Sequence, residues 1–187
     1  CLAGVLKPQR RHIANALRSS QALLPQDPKA LFVCDSVREE LMEWSTRCGY
    51  GQREAVAMAR RFGLESLGAR HPYDLSGGQQ QKLALAKLLL ADPEVLFLDE
   101  PSKGLDPASC ADFSRTVREL ADEGKTIVFV THDLDFAFVT ADFVSMPFDG
   151  EIACTEPVQA FFANNIVYRP NAKSRLFGEI AAEGGRA

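Results

Sequence analysis

Val95-Leu96-Phe97-Leu98-Asp99-Glu100 runs four consecutive apolar residues directly into two carboxylates. So short and unbroken an apolar run is the pattern of a strand covered on both faces in a parallel sheet. It delivers Asp99 to the carboxyl end of that strand, the edge where ligands bind in open α/β sheets. A carboxylate there can hold Mg²⁺, directly or through water. Glu100 comes next, points differently, and can polarise a water for attack on a phosphoryl group. Acidic residues also end strands for ordinary reasons. Two in tandem, followed by Pro101 and a Gly104-Leu105-Asp106 turn, are harder to assign to that cause.

Downstream, Phe113, Val117, Leu120 and Ala121 mark an amphipathic helix, and Gly124 stands where a C-terminal stop is expected. Thr126 to Val130 reads as a second buried strand, Asp133 to Ala141 as a helix. Phe143 to Met146 and Glu151 to Cys154 form a hairpin-like pair around Asp149-Gly150. Strand, helix, strand, helix is the α/β rhythm of a parallel sheet. Upstream, a helix runs from Ser76 to about Ala91 with apolar residues on nearly every side, so it is expected to be buried along most of its length. Before it, Ser36-x-x-Glu39 reads as a capping box, with Val37, Leu41 and Trp44 on one helical face. Ala55, Met58, Ala59 and Phe62 repeat the pattern after Gly51. Gln21 to Pro25 reads as a strand and Cys1 to Leu6 as the last turn of a helix, while the chain beyond Asn164 is polar and Gly-rich.

The helix from Ser76 opens on Leu75-Ser76-Gly77-Gly78-Gln79. Adjacent glycines let backbone N–H groups approach an anion, Ser76 adds a hydroxyl, and the positive end of the helix points at the same spot. A glycine pair that merely starts a helix is the plain alternative. Thr131-His132-Asp133 follows a strand expected to neighbour that of Asp99, where His132 could contact a phosphoryl group and hold Glu100 and its water in line. His12 and His71 read as structural. Gln26, at the end of an earlier strand, can join a metal's shell through its amide, although alone it is a weak signal.

The order Gln26, Leu75 to Gln79, Asp99-Glu100, Asp106, His132 resembles the ATP-binding-cassette (ABC) ATPases, over about residues 1–160. In family terms these positions match the Q-loop, signature, Walker B strand with catalytic glutamate, D-loop and H-loop. The resemblance implies ATP with Mg²⁺ as ligands, Glu100 and His132 as catalytic residues, and Asp99 and Gln26 on the metal. Ser76, Gly77, Gly78, Gln79 and Asp106 would serve a nucleotide bound in trans, because the family sandwiches ATP between two cassettes. A second ABC ATPase domain, the same or different, and an integral membrane transport subunit are therefore the expected partners. The cytoplasmic face of the cell membrane is the expected location.

No G-x-x-x-x-G-K-[ST] phosphate loop occurs in these 187 residues. Gly63-x-x-x-x-Gly68 is followed by Ala69-Arg70, and Gly124-Lys125-Thr126 has Glu119 where the first glycine belongs. The chain is accordingly expected to be a cassette without its N-terminal phosphate-loop part, inactive by itself. The implied fold is α/β, a P-loop NTPase-like partial parallel sheet flanked by helices with an inserted helical subdomain. The expected divisions are a core remainder at 1–33, a helical subdomain at 34–90, an α/β core at 91–163 and a tail at 164–187. A finer likeness comes from Asp27-Pro28 to Phe32, Ser36-Val37-x-Glu39-Glu40, Pro101 to Asp106, and Phe161-Phe162 to Tyr168 with Ser174-Arg175. These resemble the ATPases of energy-coupling-factor importers of vitamins or metal ions, in their second cassette.

Composition sets the outer bounds. A net charge of −4 gives no reason to expect nucleic acid as a partner, and Lys7, Arg10 and Arg11 read as a solvated turn. Five cysteines without a C-x-x-C pair fit reduced thiols better than a disulfide or zinc framework. No apolar run approaches the ~18 residues of a membrane span. Two other functions remain open at this level: a ribosome- or DNA-associated ABC ATPase, and a non-catalytic cassette that lends only its signature face to a complete partner.

Overall fold

The computed structural model describes residues 20–164. The expected Cys1–Leu6 helix, the basic cluster at 7–11, His12 and the tail beyond Asn164 lie outside them. Three parallel strands form the central sheet in the order β1 (Gln21–Leu24), β2 (Val95–Asp99), β3 (Thr126–Val130). Leu24 pairs with Leu98, and Asp99 with Val130, so the segments after all three strands leave the sheet at one edge. That shared edge is what places the candidate site.

Between β1 and β2 the chain is helical: α1 (Val37–Met42), α2 (Ser45–Cys48), α3 (Gln52–Arg61) and α4 (Gly77–Leu89). Helix α4 is the axis of the core. Gln80, Gln81 and every residue from Leu83 to Leu89 are buried, which is why no polar face was visible in its sequence. Leu83, Leu85, Leu24, Leu96, Phe113 and Leu120 share one apolar cluster that joins α4 to the sheet and to α5 (Pro107–Asp122).

Helix α1 is shorter than its apolar spacing suggests. It stops at Met42, and Trp44 caps the separate α2 while lying beside the Lys87 ammonium. Ser36 accepts from the Glu39 amide, but its hydroxyl donates to the Glu39 carboxylate, so only half of the expected capping box forms.

Strand β3 corrects a second expectation. It is not buried on both faces: Thr126, Val128 and Val130 are exposed, Val128 by 40% and Val130 by 62%. Among the described residues β3 pairs only with β2, so its far side has no neighbour.

After β3 come α6 (Leu134–Thr140) and an antiparallel pair, β4 (Phe143–Phe148) and β5 (Glu151–Pro157). Asp149 and Gly150 both have positive φ, the geometry of a two-residue hairpin turn that matches the twist of its strands. A last helix, α7 (Val158–Asn164), sets Val158, Phe161 and Phe162 against Ala137 and Phe138 of α6. It was not anticipated, though its i, i+3, i+4 apolar spacing was present to be read.

Candidate nucleotide-facing site

Glu100 leaves β2 through a left-handed turn, with φ +47° in a non-glycine residue. Its amide still donates to Val130 O at 2.8 Å, so the turn begins inside the sheet. The carboxylate then points back across the edge toward the end of β3. Glu100 Oε2 accepts from Thr131 Oγ1 at 3.1 Å and from the His132 amide at 3.2 Å. The His132 ring places Nε2 3.5 Å from Glu100 Oε1 and is otherwise in solvent, its side chain 98% exposed. The structure thus brings Glu100 and His132 together, anchoring the carboxylate while leaving the imidazole open to a ligand.

Asp99 ends β2 and is exposed. Gln26 lies two residues beyond the end of the neighbouring β1 and is also exposed, with Asp27 capping the short 3-10 turn Pro28–Leu31. Both side chains carry oxygen donors suited to a hard cation. Among the described residues, no group of three or more His, Cys, Asp or Glu side chains could hold a metal by itself.

The glycine pair belongs to a second cluster. Ser76 is the N-cap of α4: its hydroxyl accepts from the Gln79 amide at 3.3 Å, and Gln79 Oε1 accepts from the Ser76 amide at 3.0 Å. Asp106 caps α5 in the same manner. It accepts from the Ala108 and Ser109 amides at 3.0 Å and from Ser109 Oγ at 2.6 Å. The Ser109 hydroxyl, then the Ser109 amide, hold the Asp106 carboxyl below its ordinary range. The two helix starts touch. A Cβ on Gly78 would lie 2.8 Å from Ser109 Oγ, and one on Gly77 would lie 3.5 Å from Gly104 O. A glycine at 78 is therefore required for close approach of α5, in addition to any approach of a ligand.

A side chain that the sequence reading passed over joins the two clusters. Buried Gln81, on α4, donates through Nε2 to Pro101 O at 3.1 Å, the carbonyl next after Glu100. Gln80 likewise donates to Pro72 O at 3.1 Å and fixes the segment that enters Leu75–Gln79. Both are the glutamines directly after Gln79, and mid-helix amides inside an otherwise apolar helix were the available signal. His71 is structural as expected: its Nδ1 accepts from the Tyr73 amide at 3.1 Å. Between the first turns of α5 and α6 lies a cavity of about 200 Å³ lined by Leu105, Cys110, Ser114, Asp133 and Phe136. Burial, then Asp133, Asp106 and Asp135, push the Cys110 thiol up to about 11. Cys34, Cys48, Cys110 and Cys154 are all free.

The profile of the family described as ABC transporter matches residues 1–103. A putative ABC transporter ATP-binding protein of Bacillus cereus is 40% identical over 145 residues, which are 76% of this chain and 26% of that protein. The energy-coupling factor transporter ATP-binding protein EcfA2 of Methanospirillum hungatei is 33% identical over 178 residues, 92% of this chain and 45% of the relative. The chain thus spans between about a quarter and a half of the length of these curated relatives. Among solved structures, cbiO1 of Clostridium perfringens, part of the ABC transporter complex cbiONQ, superposes with a TM-score of 0.77 at 28% identity, covering 87% of this chain and 72% of its own. Motif order, sheet polarity and these likenesses agree, and the chain belongs to the ABC transporter family, as part of its ATPase domain.

Proposed function

We propose that the chain is part of the ATP-hydrolysing subunit of a prokaryotic ABC importer of the energy-coupling-factor type. The observation that carries the reading is the aimed carboxylate of Glu100, held by Thr131 and the His132 amide at the ligand-binding edge of a parallel sheet. A carboxylate so fixed can accept a proton from water at one oxygen without first reorienting. The exposed imidazole of His132 can meet a γ-phosphate and keep that water in line. Bound Mg²⁺ would neutralise phosphate charge, with Asp99 and Gln26 as the residues placed to hold it. Ser76 to Gln79 present the start of a thirteen-residue helix, a favourable seat for a phosphate belonging to a second cassette. Asp106 lies beside it and would serve the same trans nucleotide.

In this reading the helical stretch 34–90 is a subdomain between core segments 1–33 and 91–163, and 164–187 is a tail. The partners are a second ATPase domain and a membrane-embedded subunit, and the work is done at the cytoplasmic membrane face. The likeness to EcfA2 and to cbiO1 supports the importer class. The test is Glu100→Gln in the ATPase assembled with its partner cassette. Turnover should fall by roughly 10²–10⁴-fold, the usual worth of a positioned acid–base group, with ATP binding retained. Unchanged turnover would remove Glu100 from the chemistry. Co-purification with membrane subunits tests the importer assignment, and recovery with ribosomes or DNA instead would reject it.

A further inference from the structure

The largest fully buried side chain in the described residues is a lysine. Lys87, on α4, has a side-chain exposure of 0%. Three oxygen partners surround its ammonium. It pairs with the Glu40 carboxylate, itself 0% exposed, with the Glu43 carboxylate, and with Leu31 O at 2.7 Å. The Trp44 ring lies 4.9 Å from the same nitrogen. The other Glu40 oxygen accepts from the amides of Val33 and Cys34. One charge cluster therefore grips three separate pieces of chain: the segment 31–34 just beyond Gln26, helix α1, and the helix that begins at the signature. None of these groups touches the edge where Glu100 and His132 lie.

A buried ion pair is a poor route to bulk stability, because apolar side chains of equal volume do as well or better. Its distinctive property is geometric: with the ammonium held by three oxygens and both Glu40 oxygens engaged, few other arrangements of the three segments satisfy it. We propose that Lys87 is a positioning residue that locks the segment after Gln26 to helix α4. Gln26 and the Ser76–Gln79 turn then move as one body. The functional meaning rests on the reading of those two motifs given above; the lock itself does not.

Hydrogen exchange on the chain tests this. Lys87→Met leaves Glu40 charged and buried and can unfold the protein, so the deciding variant is Lys87→Met/Glu40→Gln. It removes the two fully buried charges, leaves the part-exposed Glu43 carboxylate to solvent, and keeps an oxygen able to accept from Val33 and Cys34. The lock predicts that the amides of Val33 and Cys34 exchange at least roughly tenfold faster in the double variant, on the scale of one lost charge-assisted hydrogen bond. The amides of β2 and α5 should stay within about twofold of the parent. Wild-type protection at 33 and 34 would show that the Glu40 oxygen alone orders the loop and would overturn the proposal. Equal acceleration in β2 and α5 would overturn it too, reducing Lys87 to a contributor to global stability. No nucleotide enters this readout, so a failed ATPase assignment, detected with Glu100→Gln, is told apart from a failed lock.

Discussion

Gly78→Ala is a perturbation whose sign the packing decides. Helix propensity alone favours the change by about 1 kcal/mol. The added methyl, however, meets Ser109 Oγ at 2.8 Å and Ser109 Cβ at 3.0 Å. Rotating the serine hydroxyl away would break its 2.6 Å bond to Asp106 and leave the Cβ contact untouched, since that atom is fixed by the backbone of α5. The starts of α4 and α5 must therefore separate, and overpacking of this kind costs about 1–3 kcal/mol. Gly77→Ala is the internal control, because its methyl finds Gly104 O at 3.5 Å and Leu105 Cδ2 at 4.0 Å, ordinary contacts. The Gly78 variant should thus be less stable than the Gly77 variant by about 1–3 kcal/mol, read as urea midpoints at constant slope. Ser109→Ala in the Gly78→Ala background should recover part of the loss, a coupling of about 0.5–1 kcal/mol between touching residues. A Gly78 variant as stable as the Gly77 variant would refute the claim that glycine is needed there for helix approach.

Ser76→Ala removes the N-cap hydroxyl of α4 and should lower stability by about 1 kcal/mol in the same assay, whatever its effect on nucleotide. The 187-residue chain by itself should bind a fluorescent ATP analogue with Mg²⁺ more weakly than micromolar in an anisotropy titration, because no G-x-x-x-x-G-K-[ST] loop supplies the β- and γ-phosphate cradle; micromolar binding would reveal a phosphate site elsewhere in the sequence. At pH 8, native-state alkylation followed by mass spectrometry should modify exposed Cys48 readily and Cys110 slowly, since a thiol raised to about 11 is almost wholly protonated there. The folded Cys110 pKa lies above its unfolded value of ~8.5, so its contribution to stability is intact below that pH and is lost as pH rises toward about 11; Cys110→Ser should flatten the fall in melting temperature across that range.

The legible parts of the sequence were those decided within a few residues. The run Val95–Leu98 could pack only as a covered strand, and the apolar residues around α4 left no solvent face. The Asp149-Gly150 turn was likewise fixed by its own backbone preference. What escaped depends on partners distant in sequence. An apolar strand such as Thr126–Val130 does not record how many of its sides have a neighbour, and β3 turned out half open. Lys87 carries no local sign of its role, since its carboxylate partner Glu40 stands 47 residues away. At the site, Asp99, Glu100 and His132 could be nominated from strand ends. The contact of Gly78 with Ser109 and the hold of Gln81 on Pro101 needed the packing angle of two helices, which no local pattern encodes.

The left-handed backbone of Glu100 has a practical consequence for anyone testing the catalytic role proposed for this residue. A side-chain-bearing residue at that dihedral is strained by about 1–2 kcal/mol, and the two hydrogen bonds that the carboxylate accepts from the Thr131 hydroxyl and the His132 amide, just beyond β3, offset the strain. Alanine would keep the strain and discard both bonds, whereas glycine would discard the bonds and shed the strain. The usual alanine knock-out would then report damaged folding together with lost chemistry, and a low activity could not be assigned to either. Glutamine preserves an acceptor at Oε1 for Thr131 and the His132 amide and removes only the charge. For this position the neutral amide is the clean control.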